Sequence, residues 1–239
     1  MLAKRLFAVG VGPGSPKYLT DAAKEAIAKS RYIVGYRYTL ATIEGVIDRT
    51  RQEVFEVTMK SQEDAYQTVY QKMLDGEYCT VPFTGDVNFS ESEVVDRLLQ
   101  IWGDENTEII PGISSIQIAA AKSRVPTDKS FIVTLHVTGD IEQKKDDLLR
   151  AVRDGRSVIL LPRPWPREPS KHFMQSDVAL FLRANDVDTS ALRVRVFEHL
   201  TTPKETLFEG RVSDLEGREF SDLSAMVIDQ TKRQTYLEF

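Results

Sequence analysis

Apolar positions recur along this chain in two alternating rhythms. Leu6 to Val11 is an unbroken apolar run closing on glycines, the pattern of a strand buried on both faces. After Thr20 the period lengthens. Ala22, Ala23, Ala26 and Ile27 share one helical face, and Thr20 or Asp21 is placed to cap it. Tyr32–Val34 and Val54–Val57 are short apolar strands, and Asp64–Leu74 repeats Ala65, Val69 and Met73 at helical spacing before Gly76. Tyr78–Phe83 is the next strand, Val94–Trp102 a helix, Thr107–Ile110 a strand and Ser114–Lys122 a helix. Strands alternating with helices in this way predict a parallel sheet covered on both sides.

Beyond a polar linker at Arg124–Lys129 the pattern changes. Phe131–Val137 reads as a strand, Asp147–Val152 as part of a helix and Ser157–Leu161 as an apolar strand. Pro162, Pro164, Pro166 and Pro169 stiffen the loop that follows. Val178–Arg183 is helical. Val194–Leu200, Glu205–Gly210 and Leu223–Asp229 are strands, the first two spaced for an antiparallel hairpin. The expected organisation is an N-terminal α/β domain, residues 1–124, with a mostly parallel sheet. A C-terminal α/β domain with a mixed sheet follows, residues 127–239.

The 239 residues suffice for one large domain or two small ones. A formal net charge of -5 argues against a general nucleic-acid binder but leaves room for a local basic pocket. Cys79 is the sole cysteine and lies in an apolar run, so it reads as a buried small hydrophobe rather than a nucleophile. No stretch resembles a signal peptide or a membrane span, and a cytoplasmic location is the default expectation.

Three loops leave strand ends with chemistry-bearing residues, where open parallel sheets bind ligands. Val9–Pro16 carries Gly10, Gly12 and Gly14 around Pro13; it matches neither the dinucleotide fingerprint nor a P-loop, and serves equally as a tight turn. In Thr84–Ser90, Asp86 could accept from ribose hydroxyls or an ammonium group, or cap the next helix. In Ile109–Ser115, the two serines could cap a helix or donate to a bound carboxylate. The loops contain no nucleophile–base pair, metal cluster or paired carboxylates. They suit a site that binds and orients, and no catalytic side chain is assigned.

In order, these residues resemble the tetrapyrrole (corrin/porphyrin) methylases. Gly10-Val-Gly-Pro-Gly14 followed by Tyr18-Leu19-Thr20 is similar to the family's opening, Thr84-Gly85-Asp86 to its second motif, and Pro111-Gly-Ile-Ser-Ser115 to its third. Val133-Thr-Leu-His136 resembles a strand of the branch acting on cobalt-precorrin-7 (precorrin-6Y) at C5. The likeness runs from Leu6 to about Asp229. It implies two domains with S-adenosylmethionine held in the cleft between them and the tetrapyrrole in an adjoining trough. By matching position, Pro13, Gly85, Asp86, Phe89, Ser114 and Ser115 would hold the cofactor, and Leu161, Leu200 and Ala225 would face its adenine. Two departures stand out: Val87 replaces the family's usual proline, and Arg163-Pro-Trp-Pro-Arg167 is unlike the usual loop.

The implied reaction is in-line methyl transfer to an electron-rich ring carbon, which asks the protein mainly to align two substrates and exclude water. Corrin precursors are polycarboxylates, which arginine pairs in bidentate fashion, so Arg37 and Arg163 are expected substrate contacts, with Arg167 and Lys171 as further cations. Gly12, and His136 at the end of its strand, are also expected at the substrate. His172 and His199 receive no role. The resemblance further implies a homodimer and a separate C15-methylating decarboxylase in the same pathway. An acceptor at another corrin or uroporphyrinogen ring carbon, and a non-catalytic module binding the same ligands, are the alternative readings.

Overall fold

The computed structural model describes residues 3–165, 168 and 171–232. The chain divides into two compact units, Met1–Ser115 and Ile116–Phe239.

The first unit is built on five strands: β1 (Arg5–Gly10), β2 (Tyr32–Tyr36), β3 (Glu53–Val57), β4 (Tyr78–Phe83) and β5 (Thr107–Ile110). They are parallel and lie in the order β3-β2-β4-β1-β5. The unbroken apolar run of β1 has a simple cause: its side chains feed two cores. Leu6 and Ala8 pack with Val34 and Val81 against α3 (Gln62–Lys72) and α4 (Ser92–Trp102). Phe7 and Val9 pack with Ile33 against α1 (Asp21–Lys29) and α2 (Arg37–Ile43). Each fully buried aliphatic side chain, Leu6, Ile27 and Leu98 among them, contributes roughly 1.5–3 kcal/mol by leaving water. Thr20 caps α1, its hydroxyl oxygen accepting from the Ala23 amide at 3.1 Å. Ala22, expected on the buried face, is exposed, because the stripe narrows to Ala23, Ala26 and Ile27.

The second unit contains α5 (Ser115–Ser123), β6 (Ser130–Thr134), α6 (Glu142–Arg153), β7 (Ser157–Leu161), β8 (Arg163–Pro164), β9 (His172–Phe173), α7 (Gln175–Ala184), β10 (Arg193–Glu198), β11 (Thr206–Arg211) and β12 (Ser224–Asp229). Its main sheet runs β11-β10-β12-β7-β6. Only β6–β7 is parallel; the other pairs, including the expected β10–β11 hairpin, are antiparallel. The division falls at the head of α5 rather than after Arg124. The reason is that α5 is tied to the second sheet: Lys122 pairs with Glu205, and Arg195 donates to the Ser123 carbonyl at 3.3 Å. The strand expected over Phe131–Val137 ends at Thr134. Leu135 still donates to Leu161, and the chain then turns as Val137 donates back to Leu135.

Candidate active site

β4, β1 and β5 are neighbours, so the three loops singled out above leave the same edge of one sheet side by side. Main-chain hydrogen bonds knit them. The Val11 amide donates to the Phe83 carbonyl at 2.9 Å, and Gly12 and Gly85 exchange bonds at 2.8 and 3.2 Å as an antiparallel bridge. The third loop comes equally close. A Cβ added to Gly10 would lie 2.5 Å from the Gly112 nitrogen and 2.8 Å from the Gly85 carbonyl oxygen. Only glycine allows three backbones to approach in this way.

Asp86 does not cap the following helix, since α4 begins at Ser92. Its carboxylate instead bridges two loops: Oδ1 accepts from the Asn88 amide at 2.9 Å and Oδ2 from the Gly112 amide at 2.8 Å. Among the described residues no cation pairs with it, and a carboxylate accepting two bonds has capacity for about two more. Gly12, Pro13 and Gly85 are buried, and Phe89 is half-buried with its amide donating to the Asp86 carbonyl at 3.2 Å. Ser90 holds φ at +79°, a left-handed conformation that favours glycine. Ser114 is buried behind Gly85, and Ser115 opens α5. All six residues expected at the cofactor from the first unit, Pro13, Gly85, Asp86, Phe89, Ser114 and Ser115, lie on these three loops, together with Gly12.

Arg37 lies at the same carboxyl edge, exposed at the first position of α2, two strands from β1. It lines a cavity of about 240 Å³ with Glu44, Arg49 and Glu56.

Leu161, Leu200 and Ala225 come together within the second unit. Met226 pairs with Leu160 and Glu198 with Ser224, so the end of β7, the start of β12 and the residues beyond β10 meet at one end of the sheet. His136 is at the same end, just past β6. Its ring stands edge-on to Trp165 at 4.9 Å, and burial pushes its pKa down against the opposing pull of Asp222.

Arg163 is turned inward and 4% exposed. Its guanidinium donates to the carbonyls of Val137, Thr138 and Gly139 at 3.1, 2.9 and 2.6 Å, clamping the loop after β6. Lys171 pairs with Glu168 at 2.8 Å. Arg167, with Pro166 and Pro169, lies outside the described residues. Cys79 is fully buried, and burial pushes its thiol pKa up.

The sequence reading did not single out Glu91. It follows the Asp86 loop at the head of α4, and burial, with Glu93 nearby, pushes its carboxyl up to about 7. In sequence it looks like an ordinary acidic helix start, so nothing local marks it. Among the described residues, no cluster of three or more His, Cys, Asp or Glu could hold a metal, and no helix is long and apolar enough to cross a membrane.

The sequence profile described as Tetrapyrrole (Corrin/Porphyrin) Methylases matches residues 5–216. A Methanocaldococcus jannaschii protein named probable cobalt-precorrin-7 C(5)-methyltransferase is 27% identical over 225 residues, covering 94% of this chain and 97% of the relative. The crystal structure of a precorrin-6Y methylase from Archaeoglobus fulgidus superposes with a TM-score of 0.65 at 22% identity, covering 95% and 97% of the two chains. A Thermus thermophilus uroporphyrin-III C-methyl transferase complexed with S-adenyl homocysteine superposes with a TM-score of 0.70 at 18% identity, covering 94% and 96%.

Proposed function

Because the chain belongs to the tetrapyrrole (corrin/porphyrin) methylases, we propose that it uses S-adenosylmethionine to methylate a corrin-ring precursor, cobalt-precorrin-7 (precorrin-6Y) at C5, in cobalamin biosynthesis. The observation that carries this reading is the locked meeting of three loops around an Asp86 carboxylate with no cationic partner among the described residues. The near full-length relative named for cobalt-precorrin-7 C(5) methylation supports the choice of ring position. The Thermus thermophilus relative complexed with S-adenyl homocysteine supports the choice of donor.

The residues present fit that donor. An unpaired carboxylate suits its positive charge and hydroxyls, while backbone amides and Ser114 and Ser115 suit its carboxylate. When bound, the donor supplies an activated methyl group. Asp86 and the serines orient it, and the glycine-packed loops keep their backbone groups preorganised, so little entropy is lost on binding. No general base is needed to activate the donor. The second-unit assignments, Leu161, Leu200 and Ala225, remain part of the proposal, as do Gly12, Arg37, His136 and Arg163 for the substrate. A homodimer, and a separate chain for C15 methylation and decarboxylation, complete the reading. Sedimentation at micromolar concentration tests the first, and failure of this protein alone to decarboxylate the substrate tests the second.

The decisive experiment incubates the protein with methyl-¹³C S-adenosylmethionine and candidate corrin precursors, then locates the label by NMR. One new methyl on C5 is expected. Label at a different ring carbon would reassign the step, and no transfer to any tetrapyrrole would overturn the reading.

A further inference from the structure

Two non-glycine residues, one position apart, hold a positive φ in the connection between β10 and β11: His199 at +48° and Thr201 at +69°. That region disfavours L-residues, and β-branched ones such as threonine most of all. Glycine would fill either position without strain. Strain of this kind persists only where the surroundings impose it, and the structure shows how they do so here. Leu200, between the two, is 5% exposed, so its side chain anchors the turn from within. At the start of the turn the His199 amide donates to the Leu223 carbonyl at 2.8 Å, just ahead of β12. At its far end stands Glu205, whose side chain is 24% exposed. Oε2 of its carboxylate accepts from the Thr201 amide at 2.7 Å, and Oε1 pairs with Lys122 in the last turn of α5. One carboxylate thus ties the strained residue to a helix.

Imposed backbone strain is characteristic of ligand clamps, and this turn carries the residue expected at the donor's adenine, Leu200. We propose that Glu205 is a positioning residue for the methyl donor: its carboxylate, steadied on α5 by Lys122, holds Thr201 left-handed and so keeps the Leu200 turn in the form that receives the adenine. The inference rests on the methylase reading above, and within it on Leu200 as an adenine contact. Released from Glu205, Thr201 relaxes to an ordinary negative φ and the competent turn becomes a minor form. Apparent affinity for the donor falls with the population of that form. Binding of the acceptor does not depend on it.

The test compares wild type with Glu205→Ala, Glu205→Gln and the double variant Glu205→Ala/Thr201→Gly. Three readouts are needed: affinity for S-adenosylhomocysteine, KM for the corrin precursor at saturating donor, and φ at residue 201 from its three-bond amide–Hα coupling. Glu205→Ala binds S-adenosylhomocysteine about tenfold more weakly, the equivalent of about 1.4 kcal/mol, and residue 201 leaves the left-handed region. The KM for the precursor stays within about twofold of wild type, well inside that tenfold. Glu205→Gln keeps most of the affinity, because its amide oxygen accepts the same bond. Adding Thr201→Gly to Glu205→Ala recovers most of the loss, because glycine enters the left-handed region freely although no contact is restored. Wild-type affinity in Glu205→Ala, equal losses for donor and precursor, or no recovery with glycine overturns the assignment. A further check needs no variant: saturating S-adenosylhomocysteine shifts the amides of residues 199–201 in the wild type. If the wild type binds no S-adenosylhomocysteine, the methylase reading itself has failed and the assignment falls with it. If it binds and those amides stay unmoved, only the assignment falls.

Discussion

Gly112→Ala probes the convergence of the three loops more sharply than any side-chain deletion. A Cβ built on Gly112 would lie 2.6 Å from both the carbonyl carbon and oxygen of Gly10, and closer still to the Gly85 oxygen. All three obstacles are backbone atoms held in place by β1 and by the Gly12–Gly85 bridge, so no side-chain rotation relieves the clash. Gly112 is not in the left-handed region, so alanine suffers no torsional penalty there and the effect is steric. Overpacking of this kind costs about 1–3 kcal/mol. Displacing Gly112 also strains its hydrogen bond to Asp86, a contact to a charged group worth roughly 1.5–3 kcal/mol. Together these give a loss of about 2.5–6 kcal/mol, and at roughly 2–4 °C per kcal/mol for a chain of this size the melting temperature should fall by roughly 5–24 °C. Gly45→Ala is the control, because nothing lies within 4 Å of its added Cβ. Thermal melts and calorimetric titration with S-adenosylhomocysteine should show Gly112→Ala melting early and binding at least about tenfold more weakly, the equivalent of 1.4 kcal/mol. Wild-type melting and affinity in Gly112→Ala would refute the close packing argued here.

Other parts of the structure make independent predictions. Thr20→Ala removes the cap of α1 and should destabilise the protein by about 1 kcal/mol in urea melts without affecting ligand affinity. Burial lowers the pKa of His136, so the folded state holds its proton less tightly than the unfolded chain. The stability this provides is present above the unfolded pKa of about 6.5 and is lost as pH falls through the lower folded value; His136→Asn should flatten that part of the stability–pH curve. Buried Cys79, with its thiol pKa raised, should resist a thiol reagent at pH 8 in the native protein and react once in denaturant.

The sequence was legible wherever local pattern and burial coincide. β1 announced itself because both of its faces feed a core, and the three glycine loops did so because each ends a strand. The reading missed α2: Arg37–Ile43 is seven residues long, has no side-chain cap and buries Thr39 and Thr42 beside Leu40 and Ile43, so it shows no clean apolar stripe. β8 and β9, two residues each, are too short to show a period and flank the proline-rich loop. Arg163 was expected to meet substrate, and its hold on the loop after β6 was hidden because those carbonyls lie 24 to 26 residues upstream, beyond any local window. Within the Asp86 loop Ser90 holds a left-handed φ, and nothing in the structure explains Val87 in place of proline.

The central claim, that the loops around Pro13, Asp86 and Ser114 together hold the methyl donor, is tested most directly by an amide ¹H–¹⁵N titration with S-adenosylhomocysteine. The account predicts saturable shifts concentrated in residues 12–15, 84–90 and 111–115. Saturable binding that leaves all three of those stretches unmoved, or no binding at all, would contradict it.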